Sequence, residues 1–160
     1  MSACETAAPE AIHATALVIR ETDILVRGAS GSGKSALALC LLELARQRRW
    51  FAALIGDDRV IIRSEYGRLI AQGVRNIEGM IERRGQGIVK VDATIDAVIH
   101  FAVDLAPFGE EMRRIACAEA PVADIAGVTL PLFALSAGIS SMERAFAVID
   151  EIDKISITRK

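Results

Sequence analysis

The sequence predicts an α/β fold built around a phosphate-binding loop, with a central mixed sheet, flanking helices and antiparallel additions. Three observations predict it. Gly28-Ala29-Ser30-Gly31-Ser32-Gly33-Lys34-Ser35 has the form G-x-x-x-x-G-K-[ST]. The apolar run Ile24-Leu25-Val26 precedes it as a strand should, and Leu37, Leu41 and Leu44 follow at helical spacing. Phe51-Ala52-Ala53-Leu54-Ile55 is then an unbroken apolar run that ends in Gly56-Asp57-Asp58. Such a run reads as a central parallel strand, buried on both faces.

Taken in order, Met1 to Glu10 is rich in small residues and reads as a flexible tail, with residues 11–160 forming one domain. Ile12 to Ile19 reads as a strand, with His13 at its start, and Arg20 to Asp23 as the turn of a hairpin into Ile24–Arg27. The helix from about Ser35 to Arg48 carries Leu37, Ala38, Leu41, Leu42 and Ala45 on a wide face, so it packs against a sheet. Arg46, Arg48 and Arg49 suit the negative end of its dipole. Val60–Ile62 and Leu69–Ala71 flank a turn at Ser64–Arg68, an antiparallel excursion. Ile77 to Ile88 holds Glu82, Arg83, Arg84, Gly85 and Gly87, a polar and backbone-permissive segment between apolar runs. Ile95 to Val103, which includes His100, reads as a strand, and Pro107 to Glu111 as a loop. Glu110 to Ala118 suits a short helix or a loop equally. Val122–Ile125 and Val128–Leu132 are short strands around Gly127. Ser140-Ser141-Met142-Glu143 is a capping box that opens a helix to about Asp153, with Met142, Ala145, Phe146, Ile149 and Ile152 as its apolar stripe.

Composition narrows the function classes. The formal net charge of −2 gives no general electrostatic case for nucleic acid or a membrane surface. Cys4, Cys40 and Cys117 are odd in number and far apart, which argues against a disulfide framework or zinc site and for the reducing cytoplasm. Met1 to Pro9 lacks the basic and apolar regions of a signal peptide, and no apolar run reaches the length of a membrane span.

The loop carries the chemistry. Its glycines let backbone N–H groups approach a phosphate, and the following helix adds free N–H groups and the positive end of its dipole. Lys34 is expected on the β/γ-phosphates of ATP and the Ser35 hydroxyl on Mg²⁺. Asp57 and Asp58 fall where α/β sheets bind ligands. One carboxylate there can hold the metal, and a second can orient or deprotonate a nucleophile.

His13, the loop, Leu54-Ile55-Gly56-Asp57-Asp58 and Ile81-Glu82-Arg83-Arg84-Gly85-Gln86-Gly87-Ile88 stand in one order along the chain. In these blocks the chain resembles the catalytic domain of HPr kinase/phosphorylase, in the short form found in alphaproteobacteria. The family carries a His before the loop, an Asp-Asp pair ending the next strand, and an E-x-R-G-x-G signature matched here by Glu82, Arg84, Gly85 and Gly87. The resemblance implies a P-loop kinase domain. It implies ATP-dependent phosphorylation of a serine on HPr, a small carrier protein of the phosphotransferase system. Many members also run the reverse, phosphorylase, reaction with inorganic phosphate. Asp57 is implied as the catalytic carboxylate and Asp58 as its support or the metal's. Ser35 and Glu82 are implied at Mg²⁺, with His13 and Arg84 near the phosphates or the catalytic Asp. The family's hexamers imply a homo-oligomer. The chain departs from the pattern at Ala36, which replaces an acid often found there, and at Lys90 to Thr94, which leaves little room for the family's flexible loop. Leu135 to Ser141 occupies the region of the family's Arg-Pro-Gly-Arg segment without a charge.

Two other readings compete. The loop and Leu54–Asp58 also resemble the nucleotide site of ATP-dependent phosphoenolpyruvate carboxykinase, a far longer enzyme, which would make this a small-molecule kinase. A nucleotide-sensing domain without catalysis is the other. Both acids, Asp57 and Asp58, argue against the sensor.

Overall fold

The structure, a computed structural model, describes residues 7–107, 109 and 120–158. Residues 1–6 of the expected tail, and most of the segment read as a loop followed by helix or loop, lie outside the described residues.

Where the sequence reads one strand from Ile12 to Ile19, the chain makes two. β1 (Glu10–Ile12) and β2 (Ala14–Ile19) belong to different sheets, and His13 is the corner between them. β2 forms the expected antiparallel hairpin with β3 (Thr22–Gly28), from Ala14↔Arg27 to Ile19↔Thr22. Then come the loop, α1 (Lys34–Gln47) and β4 (Ala52–Gly56). β5 (Val60–Glu65) and β6 (Arg68–Gly73) are the antiparallel excursion, joined at Tyr66-Gly67, both with positive φ. The polar segment that follows is a hairpin of β7 (Met80–Arg83) and β8 (Gly87–Lys90). Ile95 to Val103 is again two strands, β9 (Asp96–Val98) and β10 (Phe101–Ala106), with the corner at Ile99-His100. β11 (Val122–Ile125), β12 (Val128–Ser136) and α2 (Ser141–Thr158) complete the described elements.

The main sheet has the order β11-β12-β10-β3-β2-β4. β12, β10 and β3 run parallel, while β2 and β11 run against their neighbours. β4 is therefore not the central parallel strand the sequence predicts. It is an edge strand, antiparallel to β2, which lies between it and β3. Its apolar run has the usual cause, burial on both faces, but by different neighbours. α1 covers one face and the β5–β6 excursion the other. Its outer edge is closed by backbone, with Leu54 N–H on the Asp92 carbonyl at 2.8 Å and Thr94 N–H on the Leu54 carbonyl at 2.9 Å. Phe51 stands before the strand and is 65% exposed.

Alternation sorts the main sheet's side chains into two cores. Leu17, Ile19, Ile24, Val26, Phe101 and Val103 pack with α1 and α2. Ala14, Ala16, Val18, Leu25 and Ala102 pack against a second sheet of order β1-β5-β6-β9. The helices thus lie on one face only, and a sheet covers the other. The two sheets meet most tightly at Gly73, where an added Cβ would stand 2.1 Å from the Ile55 carbonyl oxygen.

The capping box opens α2 as expected. Glu143 N–H donates to Ser140 Oγ at 3.2 Å, and Ser140 N–H to the Glu143 carboxylate at 3.0 Å. The helix runs on to Thr158 rather than stopping near Asp153. Its buried stripe is Ala145, Val148, Ile149 and Ile152, whereas Met142 and Phe146 are 42% and 47% exposed. The helix is turned so that Arg144, not Phe146, faces inward; Arg144 is only 5% exposed.

Candidate active site

The loop between β3 and α1 closes on itself. Ser32 N–H donates to the Ala29 carbonyl at 3.1 Å, and Gly33, at φ 96, is the left-handed residue that admits the helix. No side chain caps α1. Its first bond is Leu37 N–H to the Gly33 carbonyl at 2.9 Å. The N–H groups of Lys34, Ser35 and Ala36 therefore lack helical acceptors and suit an anion.

Lys34 is buried, and its ammonium has its three protons committed. It donates to the Gly28 carbonyl at 2.9 Å, the Ala29 carbonyl at 3.0 Å and His13 Nε2 at 3.0 Å. Burial pushes its pKa below the ordinary value, while Asp58 and then Asp57 pull it back up. Because an ammonium only donates, His13 Nε2 must accept, which places the imidazole proton on Nδ1. Nδ1–H meets Asp58 twice, at its carboxylate, 2.9 Å away, and at its backbone carbonyl, 3.0 Å away. Lys34, His13 and Asp58 form one chain of polar contacts. The corner between β1 and β2 is what brings His13 to it.

The two acids part company. Asp57 turns back toward the fold, where it accepts from Ser35 Oγ at 2.9 Å and from Thr15 Oγ1 at 2.7 Å. Asp58, at φ 62, is turned outward, and its side chain is 78% exposed. The left-handed conformation, which Asp tolerates better than most residues, aims the two neighbours in different directions. Thr15 is fully buried in β2 and escapes sequence reasoning, because a threonine in a strand is ordinary.

A cleft of about 660 Å³ joins these parts. Its walls include the loop from Ser30 to Ser35, His13, Asp58, Glu82 and Arg84, so the sequence-predicted residues converge. Gly28 and Ala29 contribute carbonyls to Lys34 at the root of the loop. Asp57 reaches the cleft only through Ser35. The β7–β8 hairpin carries Glu82 and Arg84 on an exposed edge; Gly85 and Gly87, at φ 82 and 84, make its turn. Ile81 is its anchor, buried in the helix-side core.

The far wall has no continuous motif in the sequence. Ala137, Ser141 and Arg144 line it from the β12–α2 connection. Arg144 Nη1 donates to the Ser32 carbonyl at 2.9 Å, and the guanidinium lies so close to Gly33 that a Cβ there would stand 2.9 Å from it. The sequence held a signal, since Arg144 precedes Val148 and Ile152 by helical steps and so sits on the apolar stripe. Cys40, half-buried on α1, lines the same wall, and burial pushes its thiol pKa up against the opposing charge of Arg144. Cys4 and Cys117 lie outside the described residues. His100 is elsewhere, at the second corner, where its Nδ1 accepts from Asp23 N–H at 2.9 Å. Arg46 is engaged by Glu43 and Arg48 lies over Trp50, so neither adds to the cleft.

The donor set fits a hard cation such as Mg²⁺. Ser35 and Glu82 offer oxygen only, and among the described residues no cluster of three His, Cys, Asp or Glu side chains could hold an ion unaided. Mg²⁺ takes few protein ligands and completes its shell with water and phosphate oxygens.

Comparison with known proteins gives one consistent family. A model described as the HPr Serine kinase C-terminal domain matches residues 5–101. A protein named HPr kinase/phosphorylase from Chloroherpeton thalassium is 33% identical over 133 residues, covering 77% of this chain and 37% of that protein. Another of the same name, from Clostridium botulinum, is 39% identical over 85 residues, covering 52% of this chain and 26% of that protein. The chain thus spans about a third of the length of the curated relatives it matches. A solved structure titled as the Hpr(Ser) kinase/phosphatase from Coxiella burnetii superposes with a TM-score of 0.72 at 21% identity. That match covers 92% of this chain and 99% of the other, a likeness of fold.

Proposed function

This chain belongs to the HPr Serine kinase C-terminal domain family, and on that premise we propose that it transfers the γ-phosphoryl group of ATP to a serine of an HPr-type phosphocarrier protein. The observation that carries the proposal is the single cleft in which the phosphate loop, the His13–Asp58 pair and the Glu82–Arg84 edge face one another. Phosphoryl transfer asks for little else: a cradle, charge neutralisation, and a carboxylate aimed at the attacking hydroxyl.

The contacts support a role for each residue. Backbone N–H groups of the loop and the start of α1 hold the phosphates, and Lys34 exchanges its contact with His13 for a phosphate oxygen. Asp58 is the carboxylate that faces the serine hydroxyl, taking its proton as the serine oxygen bonds to phosphorus and the bond to the ADP oxygen breaks. His13, its Nδ1–H on Asp58, fixes that carboxylate's direction. The resemblance gave this role to Asp57; what supports Asp58 is its exposure and its place on the cleft. Asp57 holds Ser35, which with Glu82 would bind Mg²⁺. Bound Mg²⁺ supplies neutralisation of the phosphate charge. Arg84 faces the same phosphates and adds positive charge there.

We place the reaction in the cytoplasm, in a homo-oligomer of the kind the family forms. The cysteine pattern supports the compartment. Exposed Phe51, Ile88 and Ile95, each about 65% accessible, offer apolar surface for association. No described helix is long and apolar enough to cross a membrane.

The test is incubation of the purified protein with γ-labelled ATP, Mg²⁺ and HPr-type carriers from the same cell. Label on a carrier serine is expected, and phosphate added afterwards reads the reverse, phosphorylase, direction. ATP bound tightly with no label on any carrier would replace this reading with the sensor domain.

A further inference from the structure

We propose that Arg144 and Ser32 are a second pair of nucleotide-binding donors, which take the phosphate nearest the nucleoside at the end of the cleft away from Asp58. This rests on the ATP-binding reading and adds a site on an element that reading does not use, the C-terminal helix α2.

The first ground is unsatisfied polarity. Among the described residues only three buried side-chain polar atoms lack a hydrogen-bond partner, and two of them are Ser32 Oγ and Arg144 Nε. Both belong to residues that line the cleft. An orphaned polar atom inside a protein carries its full desolvation cost, so two of them in residues joined by the Arg144–Ser32 carbonyl bond, with Ser32 Oγ lying over Gly28 in the loop, point to a ligand that completes them.

Charge is the second ground. Arg144 is 5% exposed, yet among the described residues no ion pair includes it. Its neighbour Glu143 is spent on the capping box. What Arg144 has is one carbonyl, that of Ser32 at 2.9 Å, and a long contact with Ser141 Oγ at 3.4 Å. Burial accordingly lowers its pKa from the ordinary arginine value. A buried cation without a carboxylate is costly unless an anion arrives.

Position is the third. Lys34 grips the loop at Gly28 and Ala29, and Arg144 grips it at Ser32 and Gly33, so the two cations bracket the phosphate cradle. The Lys34 end holds His13 and Asp58, where the reacting γ-phosphate belongs. Beside Arg144 stand Ala137, on the connection into α2, and Cys40, close enough to interact with its charge, small groups that suit a nucleoside rather than a serine nucleophile. The guanidinium's several donors in one plane match phosphate oxygens.

Calorimetry of Mg-ATP and of Mg-pyrophosphate against wild type, Arg144→Gln and Arg144→Lys tests this, with melting curves of each protein with and without ATP. Arg144→Gln should weaken ATP roughly ten- to a hundredfold, the usual range for a charge-assisted hydrogen bond lost, and pyrophosphate far less. Arg144→Lys should recover part of the loss. A strut that merely ties α2 to the loop would lower the melting temperature of the empty protein and leave the ATP affinity intact. That result, in a folded Arg144→Gln protein, overturns the proposal. Equal losses for ATP and pyrophosphate would overturn the placement near the nucleoside. Should Arg144→Gln fail to fold, Ser32→Ala removes the second donor without touching α2, and ATP binding unchanged there also overturns the pairing. A wild-type protein that binds no ATP would overturn the nucleotide reading itself, a different failure from a wild type that binds ATP equally well without Arg144.

Discussion

At the scale of single residues, the site is a division of labour between neighbours. Asp57 and Asp58 are adjacent in the chain, but one serves the interior and the other the solvent. Asp58→Asn should cut phosphate transfer by about 10²-fold or more while ATP still binds, the ordinary scale of a lost general base. Transfer kept at wild-type rate in a single-turnover assay would return the role to Asp57. Lys34 offers a test through protons. Burial lowers its pKa from 10.5, so at alkaline pH below that value part of the empty protein has lost the ammonium proton. An arriving triphosphate favours the charged form and draws the proton back. ATP binding at such pH should therefore take up protons, and at neutral pH take up none through this group. Calorimetry in buffers of different ionisation enthalpy reads the uptake directly. Equal uptake by Lys34→Met would assign it elsewhere. These residues were legible to different degrees. The loop fixes Lys34 and Ser35 because the motif is a continuous string, and the acids follow because a buried strand ends on them. Thr15 and Arg144 left no such string. One is an unremarked strand position, and the other is visible only as a charge on an apolar stripe.

At the scale of elements, strand runs were readable and their corners were not. Ile12–Ile19 and Ile95–Val103 are interrupted only by single polar residues, His13 and Thr15 in one and Asp96 and His100 in the other, which a single strand also tolerates, so periodicity gives no sign of the change of sheet. β4 reads as central, since helix above and sheet below make an edge strand as apolar as a middle one. The contact that lets the sheets approach is Gly73 against Ile55. Gly73→Ala should lower stability by about 1–3 kcal/mol, the cost of overpacking, seen as a lower urea midpoint with unchanged slope. A midpoint equal to wild type would mean the strands separate there at no cost. The β7–β8 hairpin is a different case. Two strands alone are marginal, and this pair is held to α1 through Ile81. Ile81→Ala removes that anchor, a change worth about 2–5 kcal/mol in a rigid core, which a hairpin can shed by local opening. Transfer and Mg-ATP affinity should both fall, because Glu82 and Arg84 lose the places proposed for them beside the metal and the phosphates. If transfer fell with Mg-ATP affinity unchanged, the hairpin would serve the reacting end alone and stand apart from the nucleotide cradle.

For the molecule as a whole, the cleft belongs to no single segment. His13 comes from the first corner, the loop from β3 and α1, Asp58 from the end of β4, Glu82 and Arg84 from the hairpin, and Arg144 from the start of α2. These segments are far apart in sequence and stand on the six-stranded sheet or pack beside it. An anion that touches them all must couple their local stabilities, because a ligand that binds only the assembled cleft penalises every opening that dismantles it. Hydrogen exchange with and without Mg-ATP measures that coupling. Protection should rise in the loop and first turn of α1, and also in β7–β8 and the first turns of α2. The second sheet, β1-β5-β6-β9, should change least, since apart from the corner at His13 and the turn at Asp58 it does not reach the cleft. A ligand held by the loop alone gives a different pattern, with protection confined to residues 28–37 and exchange in the hairpin and α2 unaltered. That pattern would leave the phosphate loop standing but break the cleft into a cradle with unrelated neighbours, because Glu82, Arg84 and Arg144 would then have no common ligand.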